Sequence, residues 1–220
     1  MQGPNDEMEY STVLADFIFD VRDDASKQVI YGFQVITNSL TASNSTNNYT
    51  AWENLLNQGY RLYATAGSDR HADLNANTLT SIYANTCTAE CDGTCDNEDC
   101  AAYDKGNLIT QLATGDYVAG SVGIQMSIGE TKMGSSCQFS DNDRLVIAVD
   151  NIHYGAHSNS SQTFRIDVMN ENGVVYSQKV VAGDKIALDV DADSAYYRVA
   201  IYNVTTSVRI AVGNPIWNDK

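Results

Sequence analysis

The sequence predicts an α+β chain, a partial α/β segment followed by an antiparallel β-sandwich. Strand, helix and strand patterns alternate between residues 29 and 67, the order expected of a parallel α/β sheet. From Tyr117 onward no helical periodicity is found. The last hundred residues instead carry short strand patterns separated by turn signals, the signature of a β-sandwich. These observations place a boundary near residue 118 and divide the chain into segments 1–118 and 119–220.

Leu14, Phe17, Ile18 and Val21 recur at helical spacing and predict an amphipathic helix. Val29 to Ile36 is a near-continuous apolar run, expected of a buried strand that ends before Asn38. Ser39 to Asn48 is rich in Ser, Thr and Asn and reads as a loop. Thr50-Ala-Trp-Glu53 has the form of a capping box, with Trp52, Leu55 and Leu56 as the apolar face and Gly59 at the C′ position. Arg61 to Ser68 is the next strand. Ser81 to Ala84 reads as a short strand, and Leu108, Ile109 and Leu112 as a short helix stopped by Gly115.

Further strands are expected at Leu145–Val149, at Phe164–Val168, where apolar residues alternate with Arg165 and Asp167, and at Val174–Tyr176. Asn172-Gly173 predicts a type I′ hairpin between the last two. Ile186–Val190, Tyr197–Ile201 and Val208–Val212 complete the set.

The chain has 220 residues, 43% of them hydrophobic, enough for a packed core. Its formal net charge of −15 repels nucleic-acid phosphates and anionic lipid, which argues against both as partners. No apolar run approaches the roughly 20 residues of a membrane span. Met1-Gln-Gly-Pro-Asn-Asp6 lacks the basic-then-apolar pattern of an export signal.

Asp69-Arg70-His71 places a carboxylate and an imidazole two residues apart, just past a predicted strand. Read alone, it is either a surface turn or a pair of metal ligands. Its flanks resemble one family. Trp52-Glu-Asn-Leu-Leu-Asn-Gln-Gly59, followed by Ala66-Gly-Ser-Asp-Arg-His71, resembles the final metal motif of the PHP superfamily (polymerase and histidinol phosphatase). Ile30 to Asn38, Leu112 to Val118 and Asn214-Pro-Ile-Trp217 resemble, in order, three further segments of a branch with a C-terminal β domain. That branch includes carbaryl-hydrolase-like metallohydrolases.

The resemblance implies that segment 1–118 is the C-terminal part of a PHP-like α/β barrel and that 119–220 is the appended β-sandwich. It implies a divalent metal (Zn, Mn or Fe) and a phosphoester or related ester as substrate. Asp69 and His71 match the final Asp-x-His metal pair, and Asn38 a position lining the site. The family's opening His-x-His is absent, because His71 is the first histidine. The chain is therefore expected to be a segment of a phosphoesterase, inactive alone for want of ligands. A truncated barrel would expose apolar surface and favour a homo-oligomer. The competing reading is a non-catalytic extracellular binding module built on the β-sandwich. In a third, the β domain only packs against the barrel.

Cys87, Cys91, Cys95 and Cys100 lie in an acidic loop poor in apolar residues, 87–100. Their spacings are looser than the Cys-x2-Cys knuckles of zinc ribbons, so two disulfides and a zinc site both stand. Disulfides imply an extracellular or cell-surface protein whose export signal lies outside this sequence. Cys137 is expected as a buried free thiol. His153 and His157 stand at i, i+4, but Gly155 argues for a loop between strands. Asn44, Asn48, Asn159 and Asn203 open glycosylation sequons.

Overall fold

The structure is a computed structural model that describes residues 32–36, 43–67, 80–82, 105–120, 122–152 and 163–220. In chain order the elements are β1 (Gly32–Ile36), α1 (Ser43–Asn57), β2 (Tyr63–Ala66), β3 (Thr80–Ile82), α2 (Lys105–Thr114), β4 (Tyr117–Gly120) and β5 (Val122–Ile128). Then follow β6 (Thr131–Lys132), β7 (Ser136–Cys137), β8 (Arg144–Ile152), β9 (Phe164–Asn170), β10 (Gly173–Val180), β11 (Lys185–Asp189), β12 (Tyr196–Asn203) and β13 (Arg209–Asn218).

The protein is mostly β, with antiparallel sheets. The larger sheet runs β10-β9-β12-β13-β4-β3, with β7 paired to β13, and a four-stranded sheet runs β11-β8-β5-β6. This corrects the α+β expectation, because the described residues show no remnant of an α/β barrel. A barrel needs parallel strands in succession. Here one strand–helix–strand step occurs, with β1 parallel to β2, and the next strand leaves that sheet. β3 pairs antiparallel with β4 in the large sheet instead.

Period-2 alternation places the core. Phe164, Ile166 and Val168 of β9, Val199 and Ile201 of β12, and Ile124, Leu145 and Ile147 of the smaller sheet form one buried cluster. The other face of the large sheet carries a second cluster. There Trp52, Leu55 and Leu56 of α1, with Val35 and Ala64, cover Tyr196, Ala200, Val212 and Trp217.

Local signals are met in detail at the end of α1. Gly59, at φ +88°, follows a pair of bonds in which Tyr60 N–H reaches Leu55 O at 3.1 Å and Gly59 N–H reaches Leu56 O at 2.9 Å. This is a Schellman closure with glycine at C′. The start of α1 differs from expectation. The helix begins at Ser43, so Thr50 lies in its interior and Glu53 is not part of a cap. At the β9–β10 hairpin only Gly173 has positive φ, at +107°. A type I′ turn requires positive φ at both central residues. The turn is therefore the two-residue link Glu171-Asn172 closed by the Asn170–Gly173 pair, with the register shift one step on, between Val174 and Tyr176.

Candidate functional site

The residues singled out from sequence for chemistry lie outside the described residues: Asn38, Asp69, His71, Cys87, Cys91, Cys95, Cys100, His153 and His157. What is described is the scaffold from which Asn38 and Asp69 depart. β1 and β2 run parallel, with Gly32 opposite Tyr63 and Ile36 opposite Ala66. Gly67 N–H donates to Ile36 O at 3.0 Å, and Gln34 Nε2 donates to Gly67 O at 3.2 Å. Parallel pairing brings the carboxyl ends of both strands to one edge. Asn38 is two residues beyond Ile36, and Asp69 is two residues beyond Gly67.

Buried polar groups fix this pair of strands. Asn214 is fully buried in β13, and its Oδ1 accepts the Ala64 N–H of β2 at 2.6 Å. Its Nδ2 donates to Gly115 O at 2.9 Å and Tyr117 O at 3.3 Å. One side chain thus joins β2, the end of α2 and the start of β4 to the last strand. Trp52 Nε1 donates to Leu62 O at 2.9 Å and holds α1 to the approach to β2. Tyr63 packs against Trp217, with ring centroids 5.8 Å apart, and donates its hydroxyl to Gly134 O at 3.1 Å.

A second polar arrangement occupies the α1-facing side of the large sheet. Arg198 of β12 is 2% exposed, ion-paired to Glu53 and hydrogen-bonded to the Tyr49 hydroxyl. Its guanidinium carbon lies 5.2 Å from the ring centroids of both Tyr49 and Trp52. Arg209 lies 3.1 Å from the Tyr49 centroid and 5.5 Å from that of Tyr202. Arg165 lies 4.3 Å from the Tyr202 centroid and is paired with Asp167 through two contacts of 3.0 Å. The order Arg165, Tyr202, Arg209, Tyr49, Arg198, Trp52 is a ladder of alternating guanidinium and aromatic groups.

Burial pushes the Tyr49 phenol well above its ordinary value, despite the opposing fields of Arg198 and Arg209. It therefore remains a neutral hydroxyl at neutral pH. None of the ladder's residues was assigned a polar role from the sequence. The available signal was period 2: Arg198 and Tyr202 share a face of β12, and Arg165 and Arg209 lie opposite Tyr202 on the flanking strands.

Among the described residues no group of three or more His, Cys, Asp or Glu could hold a metal ion. Cys137, the cysteine among them, is free and half-buried against the main core. Asn203 is 9% exposed, and its Oδ1 accepts from Thr205 N–H at 2.8 Å and Thr206 N–H at 3.1 Å. The carbonyl end of that amide is engaged in a turn. Among the described residues no helix is long and apolar enough to cross a membrane. Comparison with family models, curated proteins and solved structures finds no match for this chain.

Proposed function

We propose that this chain is the C-terminal segment of a PHP-type metal-dependent phosphoesterase, and that it contributes Asp69 and His71 to the metal centre. The observation that supports the reading is the parallel pairing of β1 with β2, which brings to one edge the ends of the two strands that precede Asn38 and Asp69 in sequence. A carboxylate and an imidazole suit Zn, Mn or Fe as donors. Two donors fall short of the three or four protein ligands that zinc takes, so in this reading the remaining ligands come from outside this sequence.

A bound divalent metal would activate water and polarise the ester. The chain's own part is to supply two ligands, to line the site with Asn38 and to fix β2 through Asn214. We place the protein outside the cell or at its surface, with the cysteines of loop 87–100 as its cross-links.

The test is turnover of a phosphodiester by this chain with Mn²⁺ or Zn²⁺, together with Mn²⁺ binding. The expected result is no turnover, with weak Mn²⁺ binding that Asp69→Ala and His71→Ala both abolish. Binding that survives both substitutions overturns the ligand assignment. Turnover abolished by Asp69→Ala overturns the incomplete-site reading.

One observation favours a second reading, a non-catalytic binding module. Among the described residues β10 is an edge strand, and it exposes Val174 and Val175 by 57% and 50%. An open edge with apolar side chains is the surface to which an extended peptide adds.

A further inference from the structure

We infer that the guanidinium–aromatic ladder contains an oxyanion site centred on Arg209, taking the phosphate or carboxylate group of a small ligand. The inference is independent of the metal-centre reading and uses no residue of it.

The charge count of the ladder is the first argument. Its three guanidiniums are Arg165, Arg198 and Arg209, and its carboxylates are Asp167, held by Arg165, and Glu53, held by Arg198. Arg209 has no carboxylate partner among the described residues. Of its five N–H donors, one is used among the described residues, Nε to Tyr202 Oη at 3.4 Å. Cross-strand register adds a further cation on the same face: Lys179 opposes Arg165, Arg165 opposes Tyr202, and Tyr202 opposes Arg209. Residues directly opposite in an antiparallel pair share a face. The result is a row of three cations, Lys179, Arg165 and Arg209, against one carboxylate, Asp167, on a chain whose formal net charge is −15.

Arg209 also has the shape of a receptor. Buried Tyr49 lies against its guanidinium carbon and half-buried Tyr202 accepts its Nε–H, so the fork is held rather than free. A held guanidinium loses little rotamer freedom on binding and meets two oxygens of one anion at once. Purely structural stacking would not require four donors to be left without acceptors among the described residues.

The test uses the full chain in ¹⁵N-detected NMR at constant ionic strength, with inorganic phosphate and acetate titrated separately. The expected result is a saturable shift of the Arg209 Nε–H signal and of the amides around Tyr202. Arg209→Lys should weaken the response by about tenfold, and Arg209→Gln should remove it. Preference for phosphate identifies a phosphate-type ligand, and equal response to acetate identifies a carboxylate. A linear drift without saturation in both titrations, or saturation unchanged in Arg209→Gln, overturns the site. Should Arg209→Gln fail to fold, Lys179→Gln at the exposed end of the row replaces it. That variant should weaken phosphate binding, and an unchanged affinity there counts against the row.

Discussion

The side chain of Asn214 and the backbone of Ala64 meet at 2.6 Å across 150 positions of sequence, inside a fully buried contact. That bond ties the strand leading toward Asp69 to the last strand of the large sheet. Around it, Nδ2 of the same residue satisfies two carbonyls, so one amide answers three backbone groups at once.

Asn214→Ala leaves the buried Ala64 N–H without its acceptor and removes a donor from Tyr117 O and from Gly115 O, the latter still accepting from Tyr117 N–H at 2.8 Å. Each buried group left unpaired costs about 1–3 kcal/mol. The variant should lose about 3–5 kcal/mol of stability. Urea denaturation measures this, and an unchanged midpoint sinks the clamp.

Arg198→Ala removes a buried cation, its ion pair with Glu53 and its stacking on Tyr49 and Trp52. Breaking a buried pair by deleting one member costs about 3–5 kcal/mol. Glu53 is more exposed, at 30%, so Glu53→Gln should cost less, about 1–2 kcal/mol. The double variant should fall short of the sum of the two, because both remove the same bond. Strict additivity in a double-mutant cycle would show that the pair contributes nothing.

Burial pushes the Tyr117 phenol up to about 12, partly offset by its hydrogen bond to Asn214. An unfolded tyrosine titrates near 10. Between these values the folded state holds the proton and the unfolded state does not, so stability falls as pH rises from about 10 to 12. Tyr49 and Tyr196 are raised as well and act in the same direction. Alkaline titration of the urea midpoint should show the fall, and Tyr117→Phe should flatten part of it. Identical slopes in both proteins would contradict this.

Gly134 and Gly115 sit back to back. A Cβ added to Gly134, whose φ is +77°, would stand 2.0 Å from Thr114 O and 2.5 Å from Gly115 Cα. Neither is a flexible side-chain end, so Gly134→Ala should cost more than about 3 kcal/mol or abolish folding. Gly129, at φ +58° with nothing within 4 Å, provides the control. Gly129→Ala should cost about 1 kcal/mol, the backbone penalty alone. Equal losses at the two positions would refute the steric argument.

What the sequence disclosed was local. Alternation in Phe164–Val168 and the apolar run around Tyr197–Ile201 marked β9 and β12, and Gly59 marked the close of α1. What it concealed was decided at a distance. Thr50-Ala-Trp-Glu53 has the pattern of a cap, yet Glu53 is drawn to an arginine 145 positions away. One strand–helix–strand step is visible in sequence. Whether parallel strands continue depends on the partner of β3, which no local pattern states. The ladder needs three strands and a helix before it exists. Asp69 and His71 were singled out only through the motif around them, and the structure does not test them because they lie outside the described residues.

β13 pairs with β12, β4 and β7 and carries Asn214. It is also the last strand of this sequence to leave the ribosome. Until it emerges, β12 and β4 each lack a neighbour, and the Ala64 N–H has no acceptor. The N-terminal strands therefore wait, synthesised but unsupported, for the C-terminal residues to arrive. A premature stop codon anywhere in residues 209–218 leaves an open sheet edge and an uncovered apolar face for proteases and chaperones to find.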